Sequence, residues 1–427
     1  MITRPETPAS DSFDLRSIAV PAFGPSLLFG LGKGAILPVV ALSVRDLGGS
    51  PALAALVVTL IGIGSLLSNV PASLITARYG ERAAIVGAAV LGALAMLLCA
   101  VVEDLWVFAI GILMVGMSSA VFNLARQSYL TEAVPIHYRA RALSTLGGVM
   151  RIGAFIGPFV GAALIVAIGL QGAYWVGLMA MLAAGLVAGK LPELPGGQGD
   201  AAASAIDRDV QAGASTAART MPAPTLRSIA VGHMSVFLTV GIGAMLVSAV
   251  RASRQIVVPL WADSIGLDAA ATSLIFGLSN AVDMTLFYPA GKLMDRKGRN
   301  WVAVPSMTIM GAALMLMPLT SGAASLLLVS ILVGFGNGIG SGMVMTLGAD
   351  YSPSPGRAHF LGVWRLLSDI GATAGPVLLS AATAAVSLAA GIWTAGLLGF
   401  AAAAVLGYWI PRGNRRLVER GRMQLDE

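Results

Sequence analysis

The stretch Pro289-Ala290-Gly291-Lys292-Leu293-Met294-Asp295-Arg296-Lys297-Gly298-Arg299 packs five charges and a turn glycine between two apolar runs. An earlier stretch, Pro71-Ala72-Ser73 leading to Ala77-Arg78-Tyr79-Gly80, repeats its layout 218 residues upstream. The same spacing superposes Glu132 on Asp350, Pro135 on Pro353, Arg139 on Arg357, and Gly153-x-x-x-Gly157-Pro158 on Gly371-x-x-x-Gly375-Pro376. One register held over four separated segments implies two halves of common fold. Near the start of each half the register slips, because Leu15 to Val20 recurs at Leu226 to Val231, only 211 residues away. Pairings inside the first span of each half are therefore left unassigned.

Outward from the two charged loops the chain is almost all apolar. Of its 427 residues, 56% are hydrophobic and 11% charged, and the mean hydropathy is +0.82. Such a chain cannot cover a water-facing surface, since soluble domains carry about 25% charge. Runs of ~20 apolar residues match the ~30 Å of hydrocarbon in a bilayer. Cutting at charges, prolines and glycine turns predicts spans at 18–44, 51–76, 82–101, 105–130, 142–167, 172–190, 228–260, 268–291, 300–319, 324–348, 359–385 and 390–410. The fold class is thus an all-α integral membrane protein, twelve helices in two pseudo-symmetric bundles.

Charge orients it. Arg78, Arg82, Arg139, Arg141, Arg296, Lys297, Arg299 and Arg357 fall in loops on one side, whereas Arg45 is almost alone on the other. The positive-inside bias then places both termini in the cytoplasm of a multi-pass inner-membrane protein. The expected divisions are a tail over 1–17, bundles over 18–190 and 228–411, a second tail over 412–427, and a linker over 191–227. That linker is rich in Gly, Ala, Ser and Pro and can bury little. The basic residues are too dispersed for a nucleic-acid surface, and the lone Cys99 rules out an internal disulfide.

These features resemble the major facilitator superfamily over about Ile18 to Ile410. The segment with Gly291, Asp295, Arg296, Gly298 and Arg299 is similar to that family's loop signature, and Arg78 and Gly80 belong to a degenerate copy with Ala77 in the usual aspartate position. The resemblance implies that the aspartate helps latch one conformation, and that Arg126, Glu132, Arg139, Asp350 and Arg357 join an inner-surface charge network. Gly153, Gly157, Pro158 and Gly161 in the fifth span are similar to a motif of antiporters, matched in the eleventh by Gly371, Gly375 and Pro376. Small residues at that spacing also serve plain helix packing, and proline permits a bend. The helix 4 arginine that the family often carries has no equivalent around Ile112.

Ionisable groups at bilayer depth cost roughly 2.5–3.5 kcal/mol unless paired or wetted, so each is a candidate for substrate or coupling. They are Lys33, Arg151, Arg251, Arg254, Asp283, Arg365 and Asp369. Spans 3, 6, 9 and 12 have none in their interiors, as the resemblance implies for helices that face lipid. Arg151 and Asp283 lie at similar depth, which suggests a pair across the halves that switches; a static pair, or Asp283 with Arg365, is the alternative. Arg365 and Asp369 share a helix face at i, i+4. Arg251 and Arg254 either line the cavity or snorkel to the outer surface.

No phosphate-binding loop, metal cluster or nucleophile triad is evident, so the reading is neither an enzyme nor an ATP-driven pump, and no cofactor or metal is expected. The expected function is secondary active transport of a small organic solute by a monomer, as proton-coupled efflux, with uptake or exchange of an organic anion as the alternative. A non-transporting sensor is the remote one.

Overall fold

The computed structural model describes residues 19–134, 136–191, 226–353 and 357–423, and among these all regular structure is helical. Among the described residues, twelve helices are long and apolar enough to cross a membrane: α1 Phe23–Asp46, α2 Pro51–Asn69, α3 Arg78–Val101, α4 Leu105–Leu130, α5 Thr145–Ile168, α6 Gln171–Ala188, α7 Met234–Ser264, α8 Ala269–Leu286, α9 Asn300–Leu319, α10 Ala323–Tyr351, α11 His359–Ala385 and α12 Leu388–Arg412. The helix that contains α12 runs on to Met423, past the point where the sequence suggests a tail. The expected linker lies almost wholly outside the described residues, as does Pro135.

Within the first half α1 packs on α5 and α6, and within the second α7 packs on α11 and α12. The halves meet where α5 faces α8, α2 faces α11, and the last turns of α1 touch α7. Helices α3, α6, α9 and α12 turn Leu94, Leu186, Trp301 and Leu397 outward, which suits lipid and explains why their interiors carry no charge.

Small residues draw the helices together. A β-carbon on Gly153 or Gly157 would strike the α1 backbone at Leu27, Leu31 and Ala35, and one on Gly371 or Gly375 would strike α7 at Met245 and Ala249. Leu27 and Met245 are 218 residues apart, as are Leu31 and Ala249. The repeat register therefore holds inside α1 and α7, which corrects the slip expected there. The seven-residue discrepancy is taken up earlier, where the chain breaks at His233 (φ −114°) and winds through a π-helical turn over Phe237–Gly241.

The connections obey the same register. Gly80 (φ +81°) and Gly298 (φ +91°) hold equivalent left-handed positions in the two charged loops, where any β-carbon is strained. Ser50 caps α2 through Leu53 N, and its counterpart Asp268 caps α8 through Ala271 N.

Candidate functional site

The site lies between the halves, where helix breaks and glycine contacts place charge against charge. On α10 the run Gly338-Ile339-Gly340-Ser341-Gly342 interrupts the helix, with Gly342 left-handed at φ +80°. That break frees the Gly340 carbonyl to accept from Arg251 Nη2 of α7, the kind of exposed backbone that membrane proteins tolerate only around a cavity. A β-carbon on Gly338 would lie 2.8 Å from the Asp283 carbonyl. Its absence lets α10 approach α8 closely enough for Asn337 Nδ2 to donate to Asp283 Oδ2 at 2.6 Å.

Asp283 is completed by Arg254 Nη2 at 3.1 Å, which also donates to Asn280 Oδ1 at 3.3 Å. Arg151 of α5 reaches across the halves to donate to Ser341 Oγ at 2.8 Å. These groups line a cavity of about 280 Å³ with Arg251. In the described state the ion pair of Asp283 is with Arg254 of its own half, and not with Arg151 or Arg365. Arg251 and Arg254 also line the cavity and do not snorkel outward.

A second cavity, of about 320 Å³, shares Leu37, Arg251 and Gln255 with the first and adds Lys33, Thr59 and Pro376. A third, of about 430 Å³, is bordered by Ser65, Asn69, Asn123, Gln127, Arg365 and Asp369. Arg365 and Asp369 do share a face, but at 4.0 Å and with the arginine side chain 74% exposed the pair is loose.

The inner-surface network is partly as expected. Arg299 forms a two-pronged pair with Asp350, at 2.7 and 3.1 Å, while Arg78, Arg296 and Arg357 are exposed and Gly291 is half-buried. The side chains of Asp295, Glu132 and Arg139 lie outside the described residues. Arg126 departs from the expectation: it turns into the bundle toward Lys33, with its guanidinium 5.8 Å from the Phe122 ring, which stacks on Phe29 at 4.0 Å.

At the end of the bundle where α1 finishes, Arg45 Nε pairs with Asp263 Oδ2 at 3.0 Å, and Ser380 Oγ donates to Ala52 O at 2.7 Å. Both contacts tie the halves together. Farther toward the other end Met284, Arg365 and Leu366, which border the cavities, are exposed. Sequence reasoning missed Arg45, Asp263, Asn337 and Ser341. Only the glycine run around Ser341 hinted at a break.

Two bundles of one repeat, closed together at one end around a charged central chamber, define the architecture of a secondary transporter. The sequence profile of the Major Facilitator Superfamily matches residues 26–249 and 240–423, and the chain belongs to that family. A search of curated proteins found no match. Among solved structures, a D-xylose-proton symporter superposes with TM-score 0.69 at 17% identity, covering 92% of this chain and 97% of its own. A POT family transporter in complex with a thioalcohol-conjugated peptide gives 0.69 at 13%, with 93% and 96% covered. The nucleoside transporter NupG gives 0.67 at 16%, with 92% and 99% covered. At these identities the likeness is one of fold.

Proposed function

We propose that this transporter moves a small organic anion by alternating access. The observation that carries the reading is the charge of the chamber: Lys33, Arg151, Arg251, Arg254 and Arg365 line it against Asp283 and Asp369. Asp283 is already neutralised by Arg254, so a net positive surface is left for a ligand. Buried cations demand a partner. Arg251, whose Nε is buried without a partner among the described residues, offers a guanidinium donor suited to carboxylate or phosphate.

The sequence expectation of proton-coupled efflux rested on the α5 glycines, and those are occupied in packing against α1. The charge of the chamber favours the organic-anion alternative. With the basic loops in the cytoplasm, the end tied by Arg45 and Asp263 is external, and the described state faces inward.

The test is a thermal-stability screen of the purified protein against anionic, neutral and cationic solutes, followed by flux in vesicles with and without an imposed pH gradient. Stabilisation by anions that Arg251→Ala abolishes is expected. Stabilisation by cations alone refutes the proposal, and the pH-gradient arm decides proton coupling.

A further inference from the structure

The first and third cavities are counterparts under the repeat. Arg151 and Asp369 are 218 residues apart, and so are Ser65 and Asp283, Leu66 and Met284, and Asn123 and Ser341. One member of each couple borders each cavity. The scaffold is therefore close to two-fold at these places, but the chemistry is inverted: where α5 presents a guanidinium, α11 presents a carboxylate.

Each cavity also holds an unsatisfied group of the matching kind. In the first, Arg251 Nε is a buried donor without a partner among the described residues; in the third, beside Asp369 and Arg365, Asn123 Oδ1 is a buried acceptor without one. Asn337 Oδ1 is also unpartnered in the first cavity, leaving one acceptor there for a hydroxyl or a water. A buried polar group of this sort normally finds a partner.

The two cavities are close. The middle cavity reaches Arg251 on one side and Gly62 and Ala372 on the other, and Ser65 and Asp369 lie three residues from these, about one helical turn away.

We propose that the solute is dipolar, with its anionic group held by Arg151 and Arg251 and an ammonium or comparably strong donor held by Asp369 and Asn123. This rests on the anion reading and adds a second, opposite subsite. A single-charge anion fills only half of the chamber and leaves Asp369 with only its loose 4.0 Å pair to Arg365. A zwitterion satisfies both.

The experiment compares matched probes on the purified full-length protein by thermal shift and competition: 4-aminobutanoate, butanoate and propylamine as one set, and 6-aminohexanoate, hexanoate and pentylamine as another. In at least one set the zwitterion is expected to bind about tenfold more tightly than its anion, the effect of one added charged hydrogen bond. Asp369→Asn is expected to erase that preference while the anion binds as before, with Asn123→Ala weakening it in the same direction. Zwitterion and anion binding equally well overturns the dipolar proposal and leaves the anion reading intact. Persistence of the preference in Asp369→Asn overturns the assigned subsite. Binding of the amines alone, or of no probe in either set, overturns the dipolar proposal, and the amine-only result overturns the anion reading with it.

Discussion

Neutralising Asp263 as Asp263→Asn removes the ion pair that ties the halves at the α1 end. Its worth is bounded by geometry. Two unit charges 3.0 Å apart attract by about 1.4 kcal/mol in water and about 5.5 kcal/mol at an effective dielectric of 20. The side chains are 36% and 34% exposed, so solvent screening and side-chain entropy pull the net value toward the ~0.2–1 kcal/mol of exposed pairs. A second bond from Arg45 Nη1 to Gly49 O at 2.7 Å pre-orders the arginine, which argues for the upper end. At about 1 kcal/mol the ratio of closed to open at this end falls about fivefold.

Cysteines at positions 52 and 380, which bond across the halves in the parent, report that ratio as a cross-linking rate once buried Cys99 is replaced by alanine. The rate is expected to fall about fivefold in Asp263→Asn and in Arg45→Gln, and to recover in the swapped pair Arg45→Asp with Asp263→Arg. High salt is expected to shrink all of these differences. Equal rates in parent and neutral variants, or a swapped pair slower than either single change, refutes the latch.

Three further substitutions test the packing and the site. Gly375→Ala drives a β-carbon into the α7 backbone at Ala249 and is expected to destabilise by about 1–3 kcal/mol, seen as a lower Tm in detergent, while Gly362→Ala, in open space, leaves Tm unchanged. Gly298→Ala strains a position at φ +91° by roughly 1 kcal/mol, again read from Tm. Arg254→Ala strands a carboxylate only 19% exposed and is expected to cost about 3 kcal/mol, most of which returns in the double variant with Asp283→Asn; additivity in that thermal-unfolding cycle counts against the pair.

Hydropathy and loop chemistry made the twelve helices legible, because lipid demands long apolar runs and the left-handed turns at Gly80 and Gly298 demand glycine. The site was legible only as a set of charges. Counting residues along a helix gives depth but not direction, so Arg151 and Asp283 looked like partners by height while Arg254 stood nearer around the axis. Arg126 was misplaced for the same reason. Asn337 and Ser341 carry no hydropathy signal, and their role depends on a backbone break that glycines permit but do not announce. The register slip came from trusting Leu15 to Val20 against Leu226 to Val231, which precede the seven added residues of the second half.

The repeat also gives a logic to the signs of charge along the axis. Arg45 and Asp263 are equivalent positions, and so are Lys33 and Arg251, 218 residues apart, twelve residues or about 18 Å deeper. Opposite charges at the mouth attract only when that end is shut, so they favour one state over the other. Like charges stand at the centre, where Lys33 and Arg251 border one cavity, and rocking about a central site moves the mouths far more than the middle. The proposed anion, bound between them, would leave the latch untouched. Binding and gating then act on different pairs, and a ligand shifts the balance of states only through whatever contacts it gains in one state and not the other. In this chamber those contacts are the cross-half ones, Arg151 with Ser341 foremost, since within-half pairs such as Arg254 with Asp283 move as rigid units.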